Sequence, residues 1–263
     1  MRDTLARIAP DWLRALLGKP RVVSYAGDYP SWEAASRDVP GYGAEIILQR
    51  CLAAARAVRA GRAKMERDSV LLAEAEPAWP VLAGLLHAGV ANQGRLSVLD
   101  FGGALGSTFL LYGPLLRGMD ELGWHVVEQP AFVDAGKAEF ESGPLAFHED
   151  LESCVAAVSP NVLLLGSVLQ YLPDPHGFLS RLAGYGFSHV ILDRTPFTTR
   201  GRDRIVVQRV REPIYPAAYP CWFFHKPALH AVLERGYDLL GEFPCADRAN
   251  IPSFFGGSIW VKR

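Results

Sequence analysis

The sequence predicts an α/β protein: a doubly wound, mostly parallel seven-stranded sheet with an antiparallel C-terminal strand pair, preceded by a helical N-terminal region. Three observations lead there. From Leu96 onward, short β-rich runs alternate with stretches of helical period, the pattern of βαβ units. Asn161–Leu165 holds three consecutive leucines, as expected of a central strand buried on both faces. Val98-Leu99-Asp100-Phe101-Gly102-Gly103-Ala104-Leu105-Gly106-Ser107 runs from an apolar strand through a glycine-rich turn into a helix. That is how a parallel strand hands over to a helix around a nucleotide-like ligand.

In chain order, Leu5, Ile8, Trp12 and Leu16 fall at helical spacing beside Arg7, Arg14 and Lys19. They predict a helix packed on its own protein, with peripheral membrane contact through residues 1–19 as the alternative. Tyr25, Gly27, Asp28, Tyr29, Pro30 and Trp32 mark a loop that either folds over a ligand as a lid or packs on the helical region; Gly41-Tyr42-Gly43 ends the stretch. Ile47, Leu48, Cys51, Leu52, Ala55 and Val58 give residues 44–60 a helical period closed by Gly61, and a second helix is expected over 79–91. Strands follow at 96–101, 124–128, 145–147, 161–165 and 189–193, the first helix between them being interrupted at Gly113-Pro114. Pro227 and Gly236 bracket a helix, and 237–243 with 253–261 form the late antiparallel pair.

With 263 residues, a formal charge of −1, 49% hydrophobic and 21% charged residues, the composition is that of an ordinary globular chain, not a general nucleic-acid binder. Cys51, Cys154, Cys221 and Cys245 are widely spaced, so neither a disulfide framework nor a metal site is expected and a reducing cytoplasm is the simplest home. No apolar run approaches the roughly 18 residues of a membrane span, and early charges argue against a signal peptide.

The acid before the glycines narrows the ligand. A dinucleotide site runs from apolar strand straight into its glycines, bringing pyrophosphate onto the helix N-terminus. Here Asp100 stands two residues before Gly102, where a carboxylate repels phosphate and suits a ligand carrying an ammonium and a sulfonium. Asp100, Gly102 and Gly106 resemble the D/E-x-G-x-G-x-G motif of class I S-adenosylmethionine-dependent methyltransferases; Ala104 replaces the middle glycine and Gly103 is extra. Glu128 ends the second strand about 20 residues further on, the place of an acid that accepts ribose hydroxyls. Leu165-Gly166-Ser167-Val168-Leu169-Gln170-Tyr171-Leu172-Pro173-Asp174-Pro175 is similar to the family's post-strand motif. The resemblance runs over about 96–263 and implies a Rossmann-like core with S-adenosylmethionine held by Asp100, Gly102, Gly103, Ala104, Gly106, Glu128, Gln129, Ser167 and Gln170. Of His148-Glu149-Asp150, it implies Asp150 as the adenine contact.

Gly27-Asp28-Tyr29-Pro30-Ser31-Trp32, Glu66-Arg67-Asp68-Ser69-Val70-Leu71, Val127-Glu128-Gln129-Pro130, Asp193-Arg194-Thr195-Pro196-Phe197 and Tyr219-Pro220-Cys221-Trp222-Phe223-Phe224 resemble strings of a bacterial family of uncharacterised methyltransferase-like proteins, some tied to surface-polysaccharide gene clusters. The expected organisation is therefore a helical cap over 1–95 and a core over 96–263, with an acceptor-side insertion at about 194–226.

Candidates for the chemistry come from loops beyond the strand ends. Tyr171 follows the fourth strand and Asp193 the fifth; His225, beside the aromatic cluster, is the candidate base, with His148 competing. The 194–226 connection holds Arg194, Arg200, Arg202, Arg204, Arg209 and Arg211, then Tyr215, Tyr219, Trp222, Phe223 and Phe224. Arg194 and Arg204 are expected to meet an anionic group and Tyr219 and Trp222 to stack on a ring, as for a nucleotide-linked sugar. Two rivals stay open: a catalytically degenerate fold binding a nucleotide or protein, kept alive by Ala104, and a nicotinamide-dependent sugar-nucleotide enzyme.

Overall fold

The computed structural model describes residues 22–39, 44–67, 69–74 and 77–263. The segment read as an N-terminal helix, with its alternative as a membrane-surface element, and Gly41-Tyr42-Gly43 lie outside the described residues. Ahead of the glycine motif come β1 (Val23–Tyr29), α1 (Trp32–Ser36), α2 (Ala44–Arg59), the hairpin β2 (Met65–Arg67) and β3 (Val70–Leu72), and α3 (Trp79–Ala91). Strands and helices then alternate: β4 (Arg95–Phe101), α4 (Ser107–Tyr112), β5 (Glu121–Val127), α5 (Pro130–Glu139), β6 (Leu145–His148), α6 (Leu151–Val158), β7 (Val162–Gly166), α7 (Pro175–Gly184) and β8 (His189–Thr198). The chain closes with β9 (Arg204–Val210), β10 (Ala217–Phe223), α8 (Lys226–Leu233), β11 (Tyr237–Pro244) and β12 (Ser253–Lys262).

Seven strands form one sheet in the order β11-β12-β8-β7-β4-β5-β6. β6, β5, β4, β7 and β8 pair in parallel, and β12 pairs antiparallel with both β8 and β11. The leucine run explains the layering. Val162 and Leu164 of β7 pack into a core with α3, α4 and α5, while Leu163 and Leu165 pack into a second core with α6, α7 and α8. Both cores are driven by removal of apolar surface from water, and alternate residues of one strand serve opposite layers. Local chemistry fixes the ends. Asp174 caps α7 by accepting from the Gly177 N–H at 3.0 Å, with Pro175 in the first turn. Pro114 has no N–H to continue α4, which ends at Tyr112 in a single 3-10 turn. No described helix is long and apolar enough to cross a membrane.

Two elements differ from expectation. The segment expected to be a loop around Tyr25 is strand β1, which adds to β9 and β10 in a three-stranded antiparallel sheet. Its alternation supports a strand only once β9 supplies a partner from the far end of the chain, which no local pattern reveals. The fifth parallel strand, expected to stop at Asp193, continues to Thr198. Its pairing with β12 jumps from Leu192↔Ser258 to Thr195↔Gly256, so Asp193 and Arg194 together oppose Gly257 in a β-bulge. Gly257 is required there: a Cβ would lie 2.6 Å from the Leu192 carbonyl oxygen.

β1 is held at its outer edge by Asn250 in the β11–β12 loop. The Asn250 amide accepts from the Tyr25 N–H at 2.7 Å and donates to the Tyr25 carbonyl at 2.8 Å, replacing a neighbouring strand. Replacing Asn250 with Ala leaves both groups without these partners. The expected loss is about 1–3 kcal/mol in denaturant unfolding, with faster hydrogen exchange at the Tyr25 amide.

Candidate active site

One large cavity, about 1260 Å³, opens beyond the carboxyl ends of β4, β5, β7 and β8 and is roofed by β1, α1, α2 and the β2–β3 hairpin. It exceeds the roughly 300–1,000 Å³ of a single small-ligand pocket, leaving room for two ligands side by side.

On one side lies the glycine turn. Asp100, one residue before the end of β4, is almost fully buried, and the Trp124 indole N–H donates to its Oδ2 at 3.0 Å. Burial first, and the nearby Glu128 carboxylate as well, push its pKa up to about 7 against the opposing indole bond. Gly103 is explained by this acid: a Cβ there would meet the Asp100 carboxyl group at 2.6 Å. Gly102, with φ +72°, leaves room for Val168, which a Cβ would strike at 2.5 Å. Ala104 occupies the left-handed region with φ +50°, a conformation that glycine adopts freely. For an alanine this conformation costs about 1–2 kcal/mol. Glu128 lies beside it, just past β5, its carboxylate accepting from the Gln129 N–H at 2.7 Å and from the Ala104 N–H. Burial raises its pKa despite these bonds.

Across the cavity, Ser167 follows β7 and Arg194 lies in the β8 bulge, with φ +58° and +51°. The Ser167 N–H donates to the Asp193 carbonyl at 2.9 Å and its Oγ accepts from the Gln170 amide at 2.8 Å, while Gln170 Oε1 is buried with no partner among the described residues. Asp193 is largely buried, which raises its pKa, and the Cys245 thiol reaches its Oδ1 at 3.6 Å. The Tyr171 hydroxyl donates to Gln208 Oε1 at 3.0 Å, Gln208 donates to the Tyr219 hydroxyl at 3.3 Å, and the two tyrosine rings meet edge to face at 5.3 Å.

The structure thus brings Asp100, Gly102, Gly103, Ala104, Glu128, Gln129, Ser167, Gln170, Tyr171, Asp193, Arg194 and Tyr219 to one cavity. Five expected residues do not line it. Gly106 caps α4 behind the turn against Leu145. Asp150 caps α6, its carboxylate accepting from the Ser153 N–H at 2.7 Å, and Glu149 faces the cavity instead. Arg204 donates twice to the Gly27 carbonyl, at 3.0 and 2.6 Å, anchoring β1. Trp222 lies on the opposite side of β10, stacked between Trp32 and Phe224, with its indole N–H on the Leu172 carbonyl at 3.0 Å. His225 precedes α8, and its backbone N–H donates to Asp203 at 2.5 Å. Arg200 and Arg202 are likewise taken up, both on Asp28. The competing His148 lies with His125 and Cys154 outside the cavity, a convergence their sequence spacing does not announce.

Three further residues belong to the site although the sequence pattern assigns them no role: Gln208, Glu149 and Glu66. The Glu66 carboxylate accepts from the Ser107 hydroxyl and, at 3.0 Å, from the Ser69 N–H, tying the hairpin over α4. The string around Glu66 is distinctive, but its meaning depends on α4, some 40 residues away in the chain.

No protein-family description matches the sequence, and no curated protein does. Solved structures do match the fold. The N-terminal domain of EvdMO1, determined in the presence of SAH and D-fucose, superimposes with a TM-score of 0.51 at 14% identity, covering 85% of this chain and 98% of that one. A Burkholderia thailandensis protein bound to S-adenosyl-homocysteine gives 0.51 at 11% identity, covering 69% of this chain and 75% of that one. This chain has the class I methyltransferase fold. In that fold, the sheet order and the carboxyl-end cavity found here are the expected frame, and the antiparallel β11–β12 pair completes it.

Ala104→Gly removes the left-handed alanine and should raise unfolding stability by about 1 kcal/mol. Asp100 titrates near 3.8 when unfolded and about 7 when folded, so the native state holds a proton the unfolded chain gives up. Its contribution therefore makes stability fall as pH rises from about 4 to about 7 and stay level above, by on the order of 4 kcal/mol. Urea unfolding across that range should show the fall relative to Asp100→Asn.

Proposed function

We propose that this chain is an S-adenosylmethionine-dependent methyltransferase, acting on an oxygen or nitrogen of a small, anionic, ring-containing acceptor such as a nucleotide-linked sugar. The observation that carries the reading is the pair of buried acids, Asp100 beneath the glycine turn and Glu128 beside it, in one cavity large enough for two ligands. Two carboxylates facing that space suit a ligand with a cationic amino-acid end and a ribose, and oppose a pyrophosphate. The cofactor supplies an activated methyl group. Asp100 would hold its ammonium, Glu128 its ribose hydroxyls, and Gln170 Oε1 a further donor. Ala104 does not by itself favour a degenerate fold, because its φ of +50° is one that a glycine adopts freely.

The described elements ahead of β4 serve as cap and 96–263 as core, with β9 and β10 of the insertion forming the acceptor wall. Alignment of acceptor and methyl donor, with water excluded, is worth up to about 7–11 kcal/mol, so positioning is the main contribution asked of the protein. Tyr171 and Tyr219, locked through Gln208, present a fixed aromatic surface to a ring. Arg194, aimed by the bulge, is the partner for an acceptor anion. Asp193, with its pKa raised by burial, is placed to take the proton of an acceptor hydroxyl or amine. The EvdMO1 domain, determined with SAH and a sugar, supports a sugar-sized acceptor.

Calorimetric titration tests this first. S-adenosylmethionine and S-adenosylhomocysteine should bind at micromolar Kd, at least about tenfold more weakly after Asp100→Ala or Glu128→Ala, a loss of about 1.4 kcal/mol. Tight binding of NADH instead would refute the assignment. Once an acceptor is in hand, Asp193→Asn should lower kcat by about 10²–10⁴-fold with cofactor affinity kept.

A further inference from the structure

Outside the cavity, the edge of the main sheet brings together two imidazoles and a thiol. His125 on β5 and His148 at the end of β6 meet with Nδ1 and Nε2 at 3.2 Å. Cys154, buried on α6, turns its Sγ to the same point, the three donor atoms lying within 4.8 Å of one another. A hydrogen bond between the imidazoles accounts for their contact but not for the converging thiol. We propose that His125, His148 and Cys154 form a binding site for a thiophilic, borderline transition-metal ion of the Zn²⁺ class.

The geometry is close to what such an ion requires. Tetrahedral zinc, with bonds of about 2.0–2.1 Å to nitrogen and about 2.3 Å to sulfur, separates two nitrogens by about 3.3 Å and a nitrogen from a sulfur by about 3.6 Å. The imidazole pair already has the first spacing at 3.2 Å, and the thiol, within 4.8 Å of both nitrogens, has at most about 1.2 Å to close toward each to reach the second. Two nitrogens and a sulfur select Zn²⁺ or Co²⁺ over Mg²⁺ and Ca²⁺, which take oxygen ligands. Three protein ligands leave the fourth position to water. On binding, the Cys154 S–H bond breaks, its proton passes to solvent, and the thiolate electron pair forms the metal bond. The site also connects to the cavity through the backbone. The His148 carbonyl accepts from the Glu128 N–H at 3.1 Å, so a bound ion braces the sheet edge that carries Glu128 and Glu149.

The test uses the full chain without a polyhistidine tag, stripped by chelator. Co²⁺ should bind at one equivalent and produce a thiolate-to-cobalt charge-transfer band, displaced by Zn²⁺ and lost in Cys154→Ala. At a hundredfold excess over its Kd, Zn²⁺ should raise the Tm by about 5–10 °C, with no rise in equal Mg²⁺ and a reduced one in His125→Gln. A wild-type chain with no thiolate band at millimolar Co²⁺, or a band that survives in Cys154→Ala, overturns the site. These readings are independent of cofactor binding.

Discussion

A carboxylate with, among the described residues, a single side-chain donor, buried beneath a glycine turn, is the constraint around which the cavity is built. Asp100 has the Trp124 indole as its donor and the Gly103 backbone packed over it at a distance that forbids any side chain. Burying an uncompensated charge is costly, and the protein answers by holding the proton on Asp100. The same arrangement is primed for a cation. A ligand ammonium facing Asp100 restores the charged form that burial disfavours, and the neighbouring Glu128 adds to the attraction. Acid, turn and second strand thus form one electrostatic unit.

Backbone strain collects around the same cavity. Ala104, Ser167 and Arg194 adopt left-handed conformations, and each lies at the carboxyl end of a parallel strand. Each position carries of order 1–3 kcal/mol that the surrounding packing must offset. At β8 the device is a bulge: one extra residue turns Asp193 and Arg194 toward the cavity while the strand resumes pairing at Thr195. One wall of the cavity is added from elsewhere in the chain, since β1 and the β9–β10 pair make a sheet that Asn250 fastens to the β11–β12 loop.

Features decided by local chemistry are legible in the sequence. The leucine run, the glycine turn, Asp174-Pro175 and the Gly113-Pro114 break act over a few residues, and the structure bears them out. Roles that depend on distant partners are harder to read. Arg204, expected to meet an anionic group, instead clamps Gly27 of β1, and Arg200 and Arg202 clamp Asp28, more than 170 residues away in the chain. Tyr219 and Trp222 are equivalent members of an aromatic cluster in the sequence. On strand β10 they fall on opposite faces, and only Tyr219 meets the cavity. Asp150 carries a readable signal of a different kind, since an acid three residues before Ser153 is placed to cap a helix, and capping wins over ligand contact.

Proton release on ligand binding reports whether Asp100 meets the ligand's positive charge. Titration of the protein with S-adenosylmethionine in two buffers of different ionisation enthalpy counts the protons that leave. At pH 6, where Asp100 is mostly protonated in the unliganded protein, binding should release close to one proton. Release should fade to none by pH 8.5 and disappear in Asp100→Asn. Tight binding with no proton release at pH 6 would contradict the account, because Asp100 would then not be the group that meets the ligand's positive charge.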